Sequence, residues 1–150
     1  MYQFVLFNLG AQSYGLPLPT VERVVHAVEL TPIPNSPILM LGIINVHGKI
    51  MPVLNMRQRF LLPERKISLN DHLIIAHTAQ QSVVFLVDTV TGIGTYTERE
   101  LIAAQSIYPG IEYVESVIKE KDTFILIMSD PDTLLAEDEK KYLREGFKHV

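Results

Sequence analysis

Apolar residues along this chain fall in short runs broken by glycine, proline and small polar residues, the pattern of β-strands joined by tight turns. Residues 42–56 set the frame: two arms rich in β-branched residues flank His47-Gly48, where Gly48 supplies the positive φ of a hairpin turn. Alternation puts Ile44 and Val46 on one face of the first arm and Ile43, Asn45 and His47 on the other. Pro52 cannot donate to a ladder, so the second arm is expected at a sheet edge, or bulged there.

The same signals recur along the chain. Residues 2–9 form an apolar and aromatic run, residues 10–13 break it and residues 14–18 resume it, giving a first hairpin. Val21, Val24, Val25 and Val28 repeat at helical spacing behind Pro19-Thr20 and predict a short amphipathic helix, against valine's own preference for strands. Pro32, Pro34 and Pro37 make residues 30–40 an extended loop. Residues 57–62 suit one helical turn, and the polar residues 63–66 read as a surface link and subdomain seam. Residues 71–78 and 82–88 are continuously apolar strands, expected to be buried on both faces. Residues 90–95, 112–117 and 124–128 complete the strands, and Thr97 with Glu100 three residues on reads as a capped turn. Asp130-Pro131-Asp132 stops the sheet and opens an acidic-first helix over 132–147. Strand and crossover helix never alternate, so the class is all-β, of the barrel kind, with a short helix in the N-terminal half and a C-terminal helix.

Composition narrows the function. A chain of 150 residues that is 47% hydrophobic and 20% charged can bury a real core. No cysteine is present, which excludes disulfides, thiolate metal sites and cysteine nucleophiles. A net charge of −4 with no basic block argues against nucleic acid as a ligand. No apolar run has membrane-spanning length and no leader-like segment opens the chain, so a soluble, cytoplasmic protein is expected.

No constellation for catalysis emerges. Dinucleotide and phosphate-loop glycine motifs are absent, and Gly92-Ile93-Gly94 is too short to stand for either. His72 and His77 are near neighbours in sequence, but five positions apart on one strand they face opposite sides of a sheet, so no shared metal is expected. Asp130 and Asp132 read as helix-entry residues rather than a metal pair. The unusual feature is apolar surface: Ile43, Ile44, Val46, Ile50, Met51, Val53, Leu54 and Met56 crowd one hairpin and divide between core and an exposed docking patch.

The order Phe4-Val5-Leu6-Phe7, Tyr14-Gly15-Leu16-Pro17-Leu18, Ile33-Pro34-Asn35-Ser36-Pro37, then Gly42-Ile43-Ile44-Asn45-Val46-x-Gly48-x-Ile50-x-Pro52-Val53-Leu54, resembles the CheW-like domain of bacterial chemotaxis coupling proteins. The likeness continues through Leu86-Val87-Asp88 to Phe124-Ile125-Leu126-Ile127, nearly the whole chain. It implies one domain over 1–150 built from two interleaved five-stranded SH3-like β-barrels. Subdomain 1 would span about 14–67, and subdomain 2 would combine 1–13 with 68–130. It further implies a non-catalytic scaffold without cofactor, linking the cytoplasmic tips of chemoreceptors to the regulatory domain of a CheA-type histidine kinase. Such a protein would be recruited to membrane-associated receptor arrays without inserting into the membrane. Carried over, the kinase-facing residues are Ile43, Ile44, Val46, His47 and Val53, and the receptor-facing residues are Val21, Arg23, Val24, Gly42, Leu86 and Val87.

Three polar positions depart from the family pattern. His47 stands where the family usually has arginine, Asn55 where it has aspartate, and Arg23 where it commonly has glutamate. A titratable His47 predicts a tip contact that weakens as pH rises through about 6 to 7. These departures fit either an auxiliary adaptor for a different receptor array or a non-chemotaxis cascade, with its contact charges rewritten against the wrong partner, or a domain that has lost one contact. Outside the resemblance two other classes are open: a polymer-binding module on an OB-like or SH3-like barrel, and a histidine-metal hydrolase using His72 and His77.

Overall fold

The fold is that of a computed structural model that describes residues 1–146. The opening run pairs as predicted: β1 (Tyr2–Leu9) and β2 (Gln12–Pro17) are an antiparallel hairpin turning at Gly10, whose φ is +60°. A 3-10 turn at Leu18–Thr20 then leads into β3 (Val21–His26). The helix expected over residues 21–28 is therefore a strand. Its valines are stiff at χ1, and pairing with β6 (His72–His77) gives their backbone ladder partners that an isolated short helix lacks.

The central hairpin is β4 (Met40–Val46) and β5 (Lys49–Asn55), with both turn residues at positive φ, His47 at 51° and Gly48 at 84°, as a two-residue hairpin of the type I′ kind requires. The Asn45 side chain accepts from Gly48 N at 2.7 Å and braces the turn. The Asn55 side chain caps α1 (Met56–Arg59), accepting from Arg57 N at 3.0 Å, so the predicted helical turn is present. β7 (Ser82–Val87) follows β6, and β8 (Thr89–Tyr96) begins two residues later. The capped turn forms at Glu98–Glu100, with Thr97 N donating to Glu100 Oε1 at 2.9 Å. Two short elements escaped the sequence pattern, β9 (Ile102–Ala103) and α2 (Ala104–Ile107). β10 (Ser116–Glu120) starts later than expected, β11 (Thr123–Ile127) pairs with it, and α3 (Glu137–Gly146) closes the described chain. The predicted helix began at 132. A 3-10 turn at Pro131–Leu134 takes its first residues, and residue 147 lies outside the described residues.

Among the described residues eleven strands make two mixed sheets, ordered β8-β1-β2-β11-β10-β9 and β3-β6-β7-β5-β4. Each contains one parallel pair, β2 with β11 and β5 with β7, so each sheet joins the inner arms of two hairpins. The first has six strands rather than five because β9 adds to its edge. Strand pairing also redraws the seam. β6 and β7, assigned to subdomain 2 from sequence, complete the sheet of β3, β4 and β5, while β1 and β2 both belong with β8 to β11. The division is residues 21–87 against 2–17 plus 89–127, and it falls at Asp88 instead of after residue 67.

Pro52 sits on an inner strand, since β5 lies between β4 and β7. The parallel ladder to β7 covers only Val53, Leu54 and Asn55, so at Pro52 β5 has a partner on one side and the missing N–H costs no ladder bond. The true edge of this hairpin is its first arm, β4.

Alternation along β7 explains why its run is unbroken. Val83, Phe85 and Val87 point to a large core shared with Phe7, Leu9, Tyr14 and Leu16, whereas Val84 and Leu86 point to a smaller core under their own sheet with Ile44, Met51 and Val53. A third cluster, Phe4, Ile118, Ile125 and Ile127, fills the other sheet. Leu143 of α3 caps the shared core.

Candidate docking surfaces

Burial sorts the eleven residues named from sequence. Val53 (0% exposed), Ile44 (5%), Leu86 (9%) and Val87 (1%) are core and have no surface to offer a partner. Gly42 is buried too: a Cβ there would lie 2.5 Å from the Thr31 carbonyl oxygen, so its lack of a side chain admits the proline-rich loop. That loop bonds to the edge strand, with Thr31 N donating to Ile43 O at 3.0 Å and Ile43 N to Thr31 O at 2.9 Å. Ile43 is half-buried against the shared core. The outer edge of β4 is thus closed at Ile43 and open beyond it, because the next outward-pointing backbone pair in an antiparallel edge belongs to Asn45.

What remains exposed forms two separate surfaces at opposite ends of this sheet. At the turn end lie half-buried Val46, exposed His47 and Lys49, and Ile50 at 40% exposure. Ile50 was named only in the hairpin's apolar patch, and Lys49 was not among the expected contacts; its position just after the turn was the available signal. At the other end the proline-rich loop and residues 67–69 enclose an apolar cleft of about 460 Å³ lined by Val28, Leu30, Leu41, Ile67 and Leu69. Sequence reasoning missed it because its two walls are nearly forty positions apart.

Of the receptor-facing residues, Val21, Arg23 and Val24 lie on the edge strand β3, half-buried, exposed and exposed respectively. Arg23 does not stand apart from the kinase-facing set: its Nη1 is 2.7 Å from His47 Nε2. A guanidinium donates only, so His47 Nε2 is the acceptor. This contact runs from one edge strand to the turn at the other edge and draws the sheet around its core. Beside it the Glu22 carboxylate accepts from Ser82 Oγ at 2.6 Å and pairs with His77 Nδ1 at 2.9 Å.

The junction between the sheets is polar and filled. Arg57 Nε donates to Asp88 Oδ1 at 3.0 Å and Arg57 Nη2 to Oδ2 at 2.5 Å, Gly10 N donates to Oδ2 at 2.7 Å, and Arg65 Nη2 bridges Asp88 (2.8 Å) and Asp71 (2.7 Å). Burial alone would raise the Asp88 carboxyl, but hydrogen bonds from Arg57, Gly10 and Arg65 hold it down at about 2. This network leaves a cavity of only about 30 Å³ at the junction. A second clamp fixes α3, where Arg59 Nη2 donates to the Glu139 carboxylate and Nη1 to the Tyr113 hydroxyl at 2.9 Å.

Among the described residues no three histidine, cysteine or acidic side chains are placed to hold a metal ion. His72 and His77 stand at opposite ends of β6, the first against the His26 ring (4.8 Å between centroids) and the second on Glu22. Asp130 is a cap, accepting from Thr133 N at 3.1 Å, and Asp132 accepts from Ala79 N at 2.9 Å. Among the described residues no helix is long and apolar enough to cross a membrane.

Comparison with known proteins agrees with this geometry. The chain is 23% identical over 133 residues to the chemotaxis protein CheW of Treponema pallidum, covering 85% of this chain and 78% of that protein. It is 26% identical over 144 residues to the chemotaxis protein CheW of Klebsiella aerogenes, covering 91% and 83%. The crystal structure of the scaffolding protein TtCheW from Thermoanaerobacter tengcongensis superposes with a TM-score of 0.79 at 29% identity, over 91% of this chain and 94% of that one. The model of the CheW-like domain matches residues 3–139, and the chain belongs to that family.

Proposed function

We propose that this chain, a non-catalytic chemotaxis adaptor by family, couples the cytoplasmic tips of chemoreceptors to the regulatory domain of a CheA-type histidine kinase within membrane-associated arrays. The observation that carries the reading is the pair of exposed surfaces at opposite ends of one sheet, a mixed aliphatic and cationic turn and an apolar cleft, since a coupler must hold two partners at once. The kinase domain docks on the open edge from Asn45 to Ile50, against Val46 and Ile50, where free backbone groups and aliphatic side chains lie together. The receptor hairpin lies in the cleft of Val28, Leu30, Leu41, Ile67 and Leu69. Ile44, Val53, Leu86, Val87 and Gly42 are packed beneath these surfaces and touch neither partner.

Titration with the regulatory domain of a CheA-type histidine kinase from the same cell tests the first contact. Ile50→Lys puts a charge beside the open edge at a side chain that packs into none of the buried cores, and is expected to weaken binding at least about tenfold. Equal binding by the variant, or none by the wild type, would refute the assignment. Rewritten charges at Arg23 and His47 favour a second reading, an adaptor of a cascade outside chemotaxis. It predicts that a kinase from such a cascade binds in preference to a chemotaxis kinase of the same cell.

A further inference from the structure

We infer that Arg23 and His47 together form a receptor for one carboxylate of the docking kinase domain, closed by a proton that His47 takes up on binding. The inference rests on the kinase-facing role proposed for the turn. Its starting point is the contact itself: two exposed side chains, 24 positions apart in sequence and on opposite edges of the sheet, meet at 2.7 Å. The register of β3 slips between Val21 and Arg23, and bulges of this kind re-aim a side chain. His47 is held in a positive-φ turn with φ 51°, which fixes where its ring projects.

The surroundings leave this pair without a counter-ion. The charged or titratable groups on the packed elements are Glu22 and His26 of β3, Lys49 of β5, and His72 and His77 of β6; β4 and β7 carry none. Glu22, the one acid among them, is engaged by Ser82 and His77. Lys49 Nζ is turned to Ser82 Oγ at 3.4 Å, on the Glu22 side, so Arg23 with His47 is the group left open to a partner's carboxylate, on a chain whose net charge is −4. Val24 at 36% and Ile50 at 40% exposure border it, so the fitting partner segment carries a carboxylate between aliphatic residues.

Protonation of His47 leaves the Arg23 N–H without its acceptor and turns a second donor toward the same space. A carboxylate placed there receives both hydrogen bonds, each strengthened by charge. When His47 is neutral it keeps Arg23 for itself, and an incoming carboxylate must displace that bond. Binding accordingly draws one proton from solvent onto His47 Nε2 and tightens as pH falls.

Isothermal titration of the intact chain with the kinase regulatory domain, at about pH 6 and about pH 8, tests this. Expected is affinity about three- to tenfold higher at the lower pH, with the proton uptake seen as a buffer-dependent heat. His47→Asn tolerates the same backbone conformation but cannot titrate, and should lose the dependence. His47→Arg should bind alike at both values, and Arg23→Glu should bind weakly at both. A pH-independent wild type, or His47→Asn with the dependence intact, would overturn the inference. A short peptide of alternating valine and glutamate, followed by the side-chain NMR signals of Arg23 and His47, separates the two layers of argument. PH-dependent shifts by the peptide without kinase binding uphold the carboxylate site and refute the kinase reading. Kinase binding without any effect of pH or of either variant does the reverse.

Discussion

Asp88 offers the sharpest test of how the two sheets are joined. It lies where the chain leaves β7 for β8, and its carboxylate ties the β1–β2 turn, α1 and the linker residue Arg65 to that crossing. Its side chain is 18% exposed, and the folded protein holds its carboxyl at about 2 against 3.8. Because the folded value lies below the unfolded one, the carboxylate stabilises the fold above about pH 4, and this contribution is lost as pH falls toward 2. The shift corresponds to about 2 kcal/mol at neutral pH, of which about half is gone at pH ~3. Asp88→Asn keeps the shape and removes the charge. In urea unfolding followed by circular dichroism, the variant should be about 2 kcal/mol less stable near pH 7, with the difference shrinking steadily below about pH 4. A difference that stays constant between pH ~7 and ~3, or is absent at both, would show that the ion network does not carry the junction.

Three further outcomes follow from packing. Gly42→Ala should cost roughly 1–3 kcal/mol, because the new methyl meets the Thr31 backbone at 2.5 Å, whereas Gly48→Ala, with open space but a φ of 84°, should cost about 1 kcal/mol; thermal melts compare the two. Val53→Ala should destabilise by about 2 kcal/mol while leaving affinity for the kinase domain unchanged at a temperature where both proteins are folded, since the side chain is wholly enclosed. Glu139→Ala strips Arg59 of its carboxylate in a site where both side chains are largely covered, and should cost roughly 2–3 kcal/mol, with faster hydrogen exchange across α3 than across β7.

What the sequence made legible was local. The hairpin at His47-Gly48, the cap at Thr97 and Glu100, the acid-first entry to the terminal helix and the two-sided burial of β7 each depend on residues within a few positions of one another. Val21, Val24, Val25 and Val28 misled because spacing alone cannot see β6, whose ladder decides the matter for β3. The parallel pairs β2–β11 and β5–β7 join segments far apart along the chain, and no periodicity announces them; this is why the seam was placed after residue 67 rather than at Asp88. The buried residues among the docking candidates misled for a related reason. Alternation tells which residues share a face but not which face is covered, so Val53, Leu86 and Val87 read as surface candidates although each faces a core. Arg23 and His47 were each singled out by their chemistry, yet only the fold shows that they touch.

Coupling is the central claim, and simultaneous binding is its direct measure. The chain, the kinase regulatory domain and the cytoplasmic hairpin of a chemoreceptor from the same cell are mixed in equal amounts and resolved by size-exclusion chromatography with light scattering. With the two surfaces at opposite ends of one sheet, the account predicts a single ternary complex that forms only when this chain is present. Displacement of one partner by the other would contradict it.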